Sequence, residues 1–156
     1  MDEYKITYRS YEEEELPEKY RRLVEAARKA SERSYAPYSR FRVGAACLLR
    51  DGGIVQGCNQ ESPVFPAGIC AERNALFTAC SGYVGQVILA VAVWAAEGDT
   101  PAANASPCGI CRQTFLDTEE RQQAPIEVIF RWNGKYMVFA SAKELLPFSF
   151  RFNFPK

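Results

Sequence analysis

The order of three segments constrains this chain more than any other feature. A helical stretch from Cys70 to about Cys80 opens on a thiol. An apolar run rich in valine and alanine covers Gln86 to Ala95. A second helical stretch opens at Cys108 and continues to about Thr118. The apolar run suits a central strand covered on both faces. A strand linking two helices in this way implies a right-handed crossover, with both helix starts at one edge of the sheet. Cys70, Cys108 and Cys111 then converge at that edge, where helix N-terminal charge favours thiolates.

Three converging thiolates can hold Zn²⁺ and leave its fourth position open. The Cys108-Gly109-Ile110-Cys111 spacing alone also fits a redox pair or half of a structural zinc knuckle; Cys70 is what favours the three-thiolate site. Glu72, two residues after Cys70, is a non-ligand carboxylate placed to shuttle protons. Such a site carries excess negative charge, and Arg73 and Arg112 are the adjacent cations able to donate to its sulfurs. The chain contains no histidine, which excludes an imidazole base and any His-ligated metal. Cys47, Cys58 and Cys80 read as small buried hydrophobes.

Charge and termini narrow the partners. Lysine plus arginine and aspartate plus glutamate number 19 each, a balance that favours a small neutral partner over nucleic acid. Met1 to Lys5 lacks the basic and apolar regions of a signal peptide. The longest apolar run, Val87 to Ala96, is about half the ~20 residues of a membrane span. A cytoplasmic, reducing location with no membrane partner is expected, and cysteines there serve as metal ligands or buried thiols.

Elsewhere, Tyr4, Ile6 and Tyr8 alternate with polar residues as in a short strand, and Glu12 to Glu15 forms an acidic link. Leu16-Pro17 starts an amphipathic helix reaching about Ser34, with Leu23, Val24, Ala27 and Ala30 on its apolar side. A strand from Phe41 or Arg42 to Leu49 turns at Asp51-Gly52-Gly53 into a return strand, Ile54 to Cys58. Gly44-Ala45-Ala46 lacks bulk, either for close helix packing or to leave room for a ligand. Asn133-Gly134 joins strands 126–132 and 135–140 and leaves no room for a crossover, so these must be antiparallel. A short helix near Ala142 to Leu146 and an aromatic tail, Phe148 to Phe154, close the chain. The predicted fold is α/β: a three-layer α-β-α arrangement of one domain, residues 1–156, around a mixed sheet of about five strands.

The Cys70-x-Glu72 and Pro107-Cys108-x-x-Cys111 pattern matches the zinc nucleobase deaminase signature, with cysteine as first ligand. With Tyr35-Ala36-Pro37-Tyr38-Ser39-Arg40-Phe41-Arg42-Val43-Gly44-Ala45-Ala46, Gly57-Cys58-Asn59-Gln60-Glu61 and Glu144-Leu145-Leu146-Pro147-Phe148-Ser149-Phe150, it makes residues 18 to 150 resemble the cytidine deaminase family, the small zinc enzymes acting on free nucleosides. The resemblance implies a cytidine deaminase-like fold and hydrolysis of cytidine and 2′-deoxycytidine at C4 in pyrimidine salvage. It implies Zn²⁺ on Cys70, Cys108 and Cys111, Glu72 as proton shuttle, and Asn59 and Glu61 on the ribose 3′-hydroxyl. The Ala71 backbone N–H would meet the base O2, and Phe41 and Phe150 would line the pyrimidine site. Phe150 would reach in from a neighbouring subunit of a homotetramer with shared active sites, with plain core packing as its alternative.

The chain departs from the family pattern at Ser62, Pro63 and Phe65, the last replacing a substrate-contacting tyrosine. These departures imply weaker discrimination at the nucleoside 5′ position, or a modified or related aminopyrimidine nucleoside as substrate. The reading of another class is an inactive, zinc-stabilised nucleoside-binding protein, against which the intact Glu72 stands.

Overall fold

The computed structural model describes residues 1–151; the end of the aromatic tail expected through Phe154 lies outside them. A short strand, β1 (Arg9–Tyr11), precedes helix α1 (Glu18–Ser31). Pro17 occupies the N-cap of α1, where its missing N–H costs nothing. Strand β2 (Phe41–Leu49) and β3 (Ile54–Cys58) form the expected hairpin. Helix α2 (Ala71–Gly82), β4 (Ile88–Glu97), the two-residue β5 (Thr100–Pro101) and α3 (Gly109–Gln122) follow. Strands β6 (Glu127–Trp132) and β7 (Lys135–Phe139) end the sheet, before a 3-10 turn at Ala142–Leu145.

The strand order is β1-β7-β6-β4-β2-β3, with β5 paired to β4. Among the described strands only β4 and β6 pair in parallel; the other strand pairings are antiparallel, including the β6–β7 hairpin. Asn133 and Gly134 both have positive φ (49° and 80°), as the primed turn that matches strand twist requires.

Residue alternation along the strands sorts the core into two layers. Leu23, Val24 and Ala27 of α1 pack with Ala46, Ala90, Ala92 and Ile129 on one face. Ala71, Ala75 and Leu76 of α2 and Cys111 and Phe115 of α3 pack with Ala45, Cys47, Val91, Val93 and Val128 on the other. The three-layer α-β-α fold is therefore as expected, on a sheet of seven strands rather than five. The two additional strands are edge segments of three and two residues, too short to show a period. The N-terminal strand also lies later than Tyr4 to Tyr8, and the acidic link forms a 3-10 turn at Glu13–Glu15.

Two glycines set how closely the helices approach. A Cβ on Gly44 would lie 1.9 Å from Ala27 O, and one on Gly57 would lie 2.3 Å from Ala75 N. Gly44 is thus small because α1 crosses over it, which decides between the two readings of the Gly44-Ala45-Ala46 run. Among the described residues no helix is long and apolar enough to cross a membrane.

Candidate metal and active site

Both β3 and β4 are antiparallel to β2, so they run the same way, and the loops leaving their C-terminal ends lead into α2 and α3. That topology brings the two helix N-termini together at one sheet edge. Cys70 is the N-cap of α2 and Cys108 the N-cap of α3, both with extended backbones and neither capping its own helix. Each helix starts one residue later than predicted, so both thiols stand just ahead of the first turn and are free to face one another. Cys111 is the third helical residue of α3, and N-cap and N3 side chains meet: the Cys108 and Cys111 sulfurs are 3.6 Å apart. All three sulfurs lie within 4.8 Å of one another.

This donor set fits zinc. Tetrahedral Zn–S bonds of about 2.3 Å separate sulfurs by roughly 3.8 Å, close to the spacing seen. The cationic counterpart is Arg73, whose Nη2 is 3.8 Å from the Cys70 sulfur and whose Nε is buried without a hydrogen-bond partner. Cys70 is pulled below the ordinary thiol range, chiefly by the Cys111 thiol beside it; burial opposes this and Arg73 assists. The Cys111 thiol is held up by that same contact and by burial.

Arg112 has a different role from the one its sequence position suggested. It donates to Pro107 O, Leu145 O and Ser106 Oγ at 2.8, 3.1 and 2.6 Å. It thereby ties the segment before Cys108 to the turn at Leu145, and no sulfur is among these partners.

Glu72, in the first turn of α2, is 5% exposed. Burial pushes its carboxyl up to about 7, and the neighbouring Cys70 thiolate adds to the rise. A half-open cavity of about 640 Å³ extends from Cys70, Cys108, Glu72 and Arg73 out to the surface. Phe41, Asn59, Glu61, Phe65 and Ala71 all line it. As the first residue of α2, Ala71 also has a backbone N–H with no intrahelical partner.

Asn59 and Glu61 are already engaged. Asn59 Oδ1 accepts from Val43 N and Asn59 Nδ2 donates to Phe41 O, both at 2.9 Å. Glu61 accepts from the backbone N–H groups of Tyr38 and Ser39 and from the Ser39 hydroxyl. These contacts, the hydroxyl first, hold its carboxyl below the ordinary carboxylate range.

Phe150 stands apart from the cavity. It is 73% exposed, and its carbonyl accepts from Gln113 of α3. Core packing within its own chain is therefore not its role. Among the other thiols, Cys47 is fully buried and Cys58 nearly so. Cys80 is only half-buried, and Arg121 Nη2 approaches its sulfur to 2.8 Å, so the buried-hydrophobe reading holds for two of the three.

The cavity also has a wall that the motifs did not reveal: Val43, Val93, Asn104, Ala105 and Ser106. Val43 and Val93 share the strand face that carries Ala45 and Val91, so the alternation of β2 and β4 was the available signal. The sequence of Glu97 to Ala105 reads only as loop. Asn104 is placed there by accepting from Asn133 N at 2.8 Å, a contact between distant segments.

A three-layer α/β fold with three thiols and a non-ligand carboxylate at two helix N-termini defines a zinc-site class of hydrolase. Residues 17–123 match the family model of the cytidine and deoxycytidylate deaminase zinc-binding region, and the chain belongs to that family. The cytidine deaminase of Sporosarcina psychrophila is 42% identical over 96 residues, covering 62% of this chain and 67% of the relative. That of Halalkalibacterium halodurans is 40% identical over 95 residues, 61% and 68% of the two chains. A crystal structure of cytidine deaminase from Burkholderia pseudomallei superposes with a TM-score of 0.71 at 37% identity, over 84% of this chain and 98% of that one.

Proposed function

We propose that the chain hydrolyses cytidine and 2′-deoxycytidine to uridine and 2′-deoxyuridine. The observation that carries this reading is Glu72, a buried carboxyl beside three converging sulfurs at the closed end of a nucleoside-sized cavity. Cys70, Cys108 and Cys111 would hold the zinc, which would supply the Lewis acidity that makes water a nucleophile near neutral pH. Glu72 is placed to carry a proton from the attacking water to N3 of the base and a second to the leaving amine. The Ala71 N–H holds the base O2, Phe41 packs on the pyrimidine, and Glu61 accepts a ribose hydroxyl. Arg73 offsets the charge of the thiolates.

The charge of the lining favours a nucleoside over a nucleotide. Among the described residues Arg73 is the only arginine or lysine in the lining and is turned to Cys70, while Glu61 and Glu72 both face the cavity. A 5′-phosphate would meet no free cation there. At the rim Phe65 is 85% exposed, which leaves the 5′ side without a phenol and suits a 5′-modified nucleoside as an additional substrate.

The reading extends to a homotetramer with shared sites, supported by exposed Phe65, Phe148 and Phe150; burial of Phe65 by another copy would also close the cavity mouth. It extends to a cytoplasmic place in pyrimidine salvage, supported by six free thiols. The test is cytidine turnover followed by absorbance, with zinc analysis, for the native chain and Glu72→Gln. Glu72→Gln should keep its zinc and lose kcat on the order of 10³-fold. A native chain with one zinc and no turnover of any cytosine nucleoside would sink the proposal.

A further inference from the structure

Glu61 and Asn59 converge on one short segment, residues 38–43, and the link between them is a serine hydroxyl. Glu61 Oε2 accepts from Tyr38 N at 2.9 Å and Ser39 N at 3.3 Å, and Glu61 Oε1 accepts from the Ser39 hydroxyl. The Ser39 oxygen in turn accepts from Phe41 N at 3.0 Å. Between them Arg40 is held at a φ of 57°, a conformation that costs a non-glycine residue energy and persists only where its surroundings enforce it. Asn59 then fixes the far side of Phe41 through Phe41 O and Val43 N.

We infer that Ser39 is a positioning residue for substrate recognition: its hydroxyl couples the Glu61 carboxylate to the Phe41 backbone and so sets both the aromatic wall and the sugar acceptor. This rests on reading the cavity as a nucleoside site. Lone-pair counting sharpens the role. An ionised carboxylate offers about four acceptor positions, and the three contacts of Glu61 leave room for one further donor. The acceptor is therefore built to take a single ribose hydroxyl. Without the Ser39 hydroxyl, the freed position on Oε1 turns to solvent, the Phe41 N–H loses its acceptor and the turn at Arg40 loses its restraint.

The test compares Ser39→Ala and Ser39→Thr with the native chain. Ser39→Ala should raise KM for cytidine about tenfold, a single hydrogen bond's worth, with kcat within about twofold. Ser39→Thr, which keeps the hydroxyl, should restore KM. In the ligand-free protein, hydrogen exchange at the Phe41 amide should quicken in Ser39→Ala and stay slow in Ser39→Thr. A fall in kcat at unchanged KM, or a threonine variant that behaves like alanine, overturns the assignment. Failure of the native chain to turn over cytidine overturns the functional reading instead, while the Phe41 amide still decides whether Ser39 makes the link.

Discussion

The two walls of the cavity are built on different principles. The metal wall stands on two helix N-termini: Cys70 and Cys108 are caps, Cys111 and Glu72 lie within the first turns, and Cys111 is fully buried in the core. The sugar wall rests on loops: Glu61 holds Tyr38 and Ser39, and Asn59 holds Phe41 and Val43, through side-chain hydrogen bonds. Their carboxylates differ accordingly. Burial raises Glu72 towards neutrality, whereas donors hold the half-buried Glu61 below the ordinary carboxylate range. One wall invests its groups in proton transfer and the other in shape and recognition, so damage to each should have its own kinetic signature.

The harshest separation of the two is Cys111→Ala. Removing one sulfur of three leaves two protein ligands, too few for a catalytic zinc site, so zinc content and turnover should both fall to background. The sugar wall shares no hydrogen bond with Cys111 and should persist, as slow amide exchange over residues 38–43. Retained zinc with near-native turnover would show that the site does not need all three thiols. Collapse of residues 38–43 would show that the walls are not independent.

A smaller effect comes from the glycines. A Cβ on Gly57 meets the α2 backbone at Ala75 N (2.3 Å), whereas one on Gly44 meets α1 at Ala27 O (1.9 Å). Gly57→Ala and Gly44→Ala should each cost about 2–3 kcal/mol, lowering Tm on the order of 5–10 °C. Only α2 carries Cys70 and Glu72, so kcat per folded molecule should fall in Gly57→Ala and hold in Gly44→Ala. Equal kcat losses would mean that α1 also positions the metal wall.

The metal wall was legible in the sequence because its geometry is local. N-cap, N2 and N3 positions are fixed by helix periodicity, and the crossover rule brings the two helices together. The sugar wall was legible only as residue identities. That Asn59 reaches back to Phe41 and Val43, or that Arg112 serves Leu145 instead of a sulfur, depends on contacts across 16 to 33 residues that no period records. The edge strands β1 and β5 escaped for a related reason: their pairing partners, β7 and β4, supply the order that three and two residues cannot show. The mixed sheet and its terminal hairpin came through because alternation and Asn133-Gly134 are both short-range signals.

The finest test lies within the sugar wall. Asn59→Asp is nearly isosteric and keeps the acceptor for Val43 N, but it replaces the donor to Phe41 O with an oxygen. A carboxylate oxygen facing a carbonyl repels it, so the strand end carrying Phe41 should swing away while the sulfurs stay in place. The loss is one hydrogen bond, about 1–1.5 kcal/mol, which corresponds to roughly a tenfold rise in KM for cytidine. Zinc content should be unchanged and kcat should stay within about threefold, because the variant touches no group on the path of the protons. Steady-state kinetics with parallel zinc analysis reads both quantities. A large fall in kcat at constant KM would move Asn59 from the recognising wall to the reacting one, and the division between the two would no longer stand.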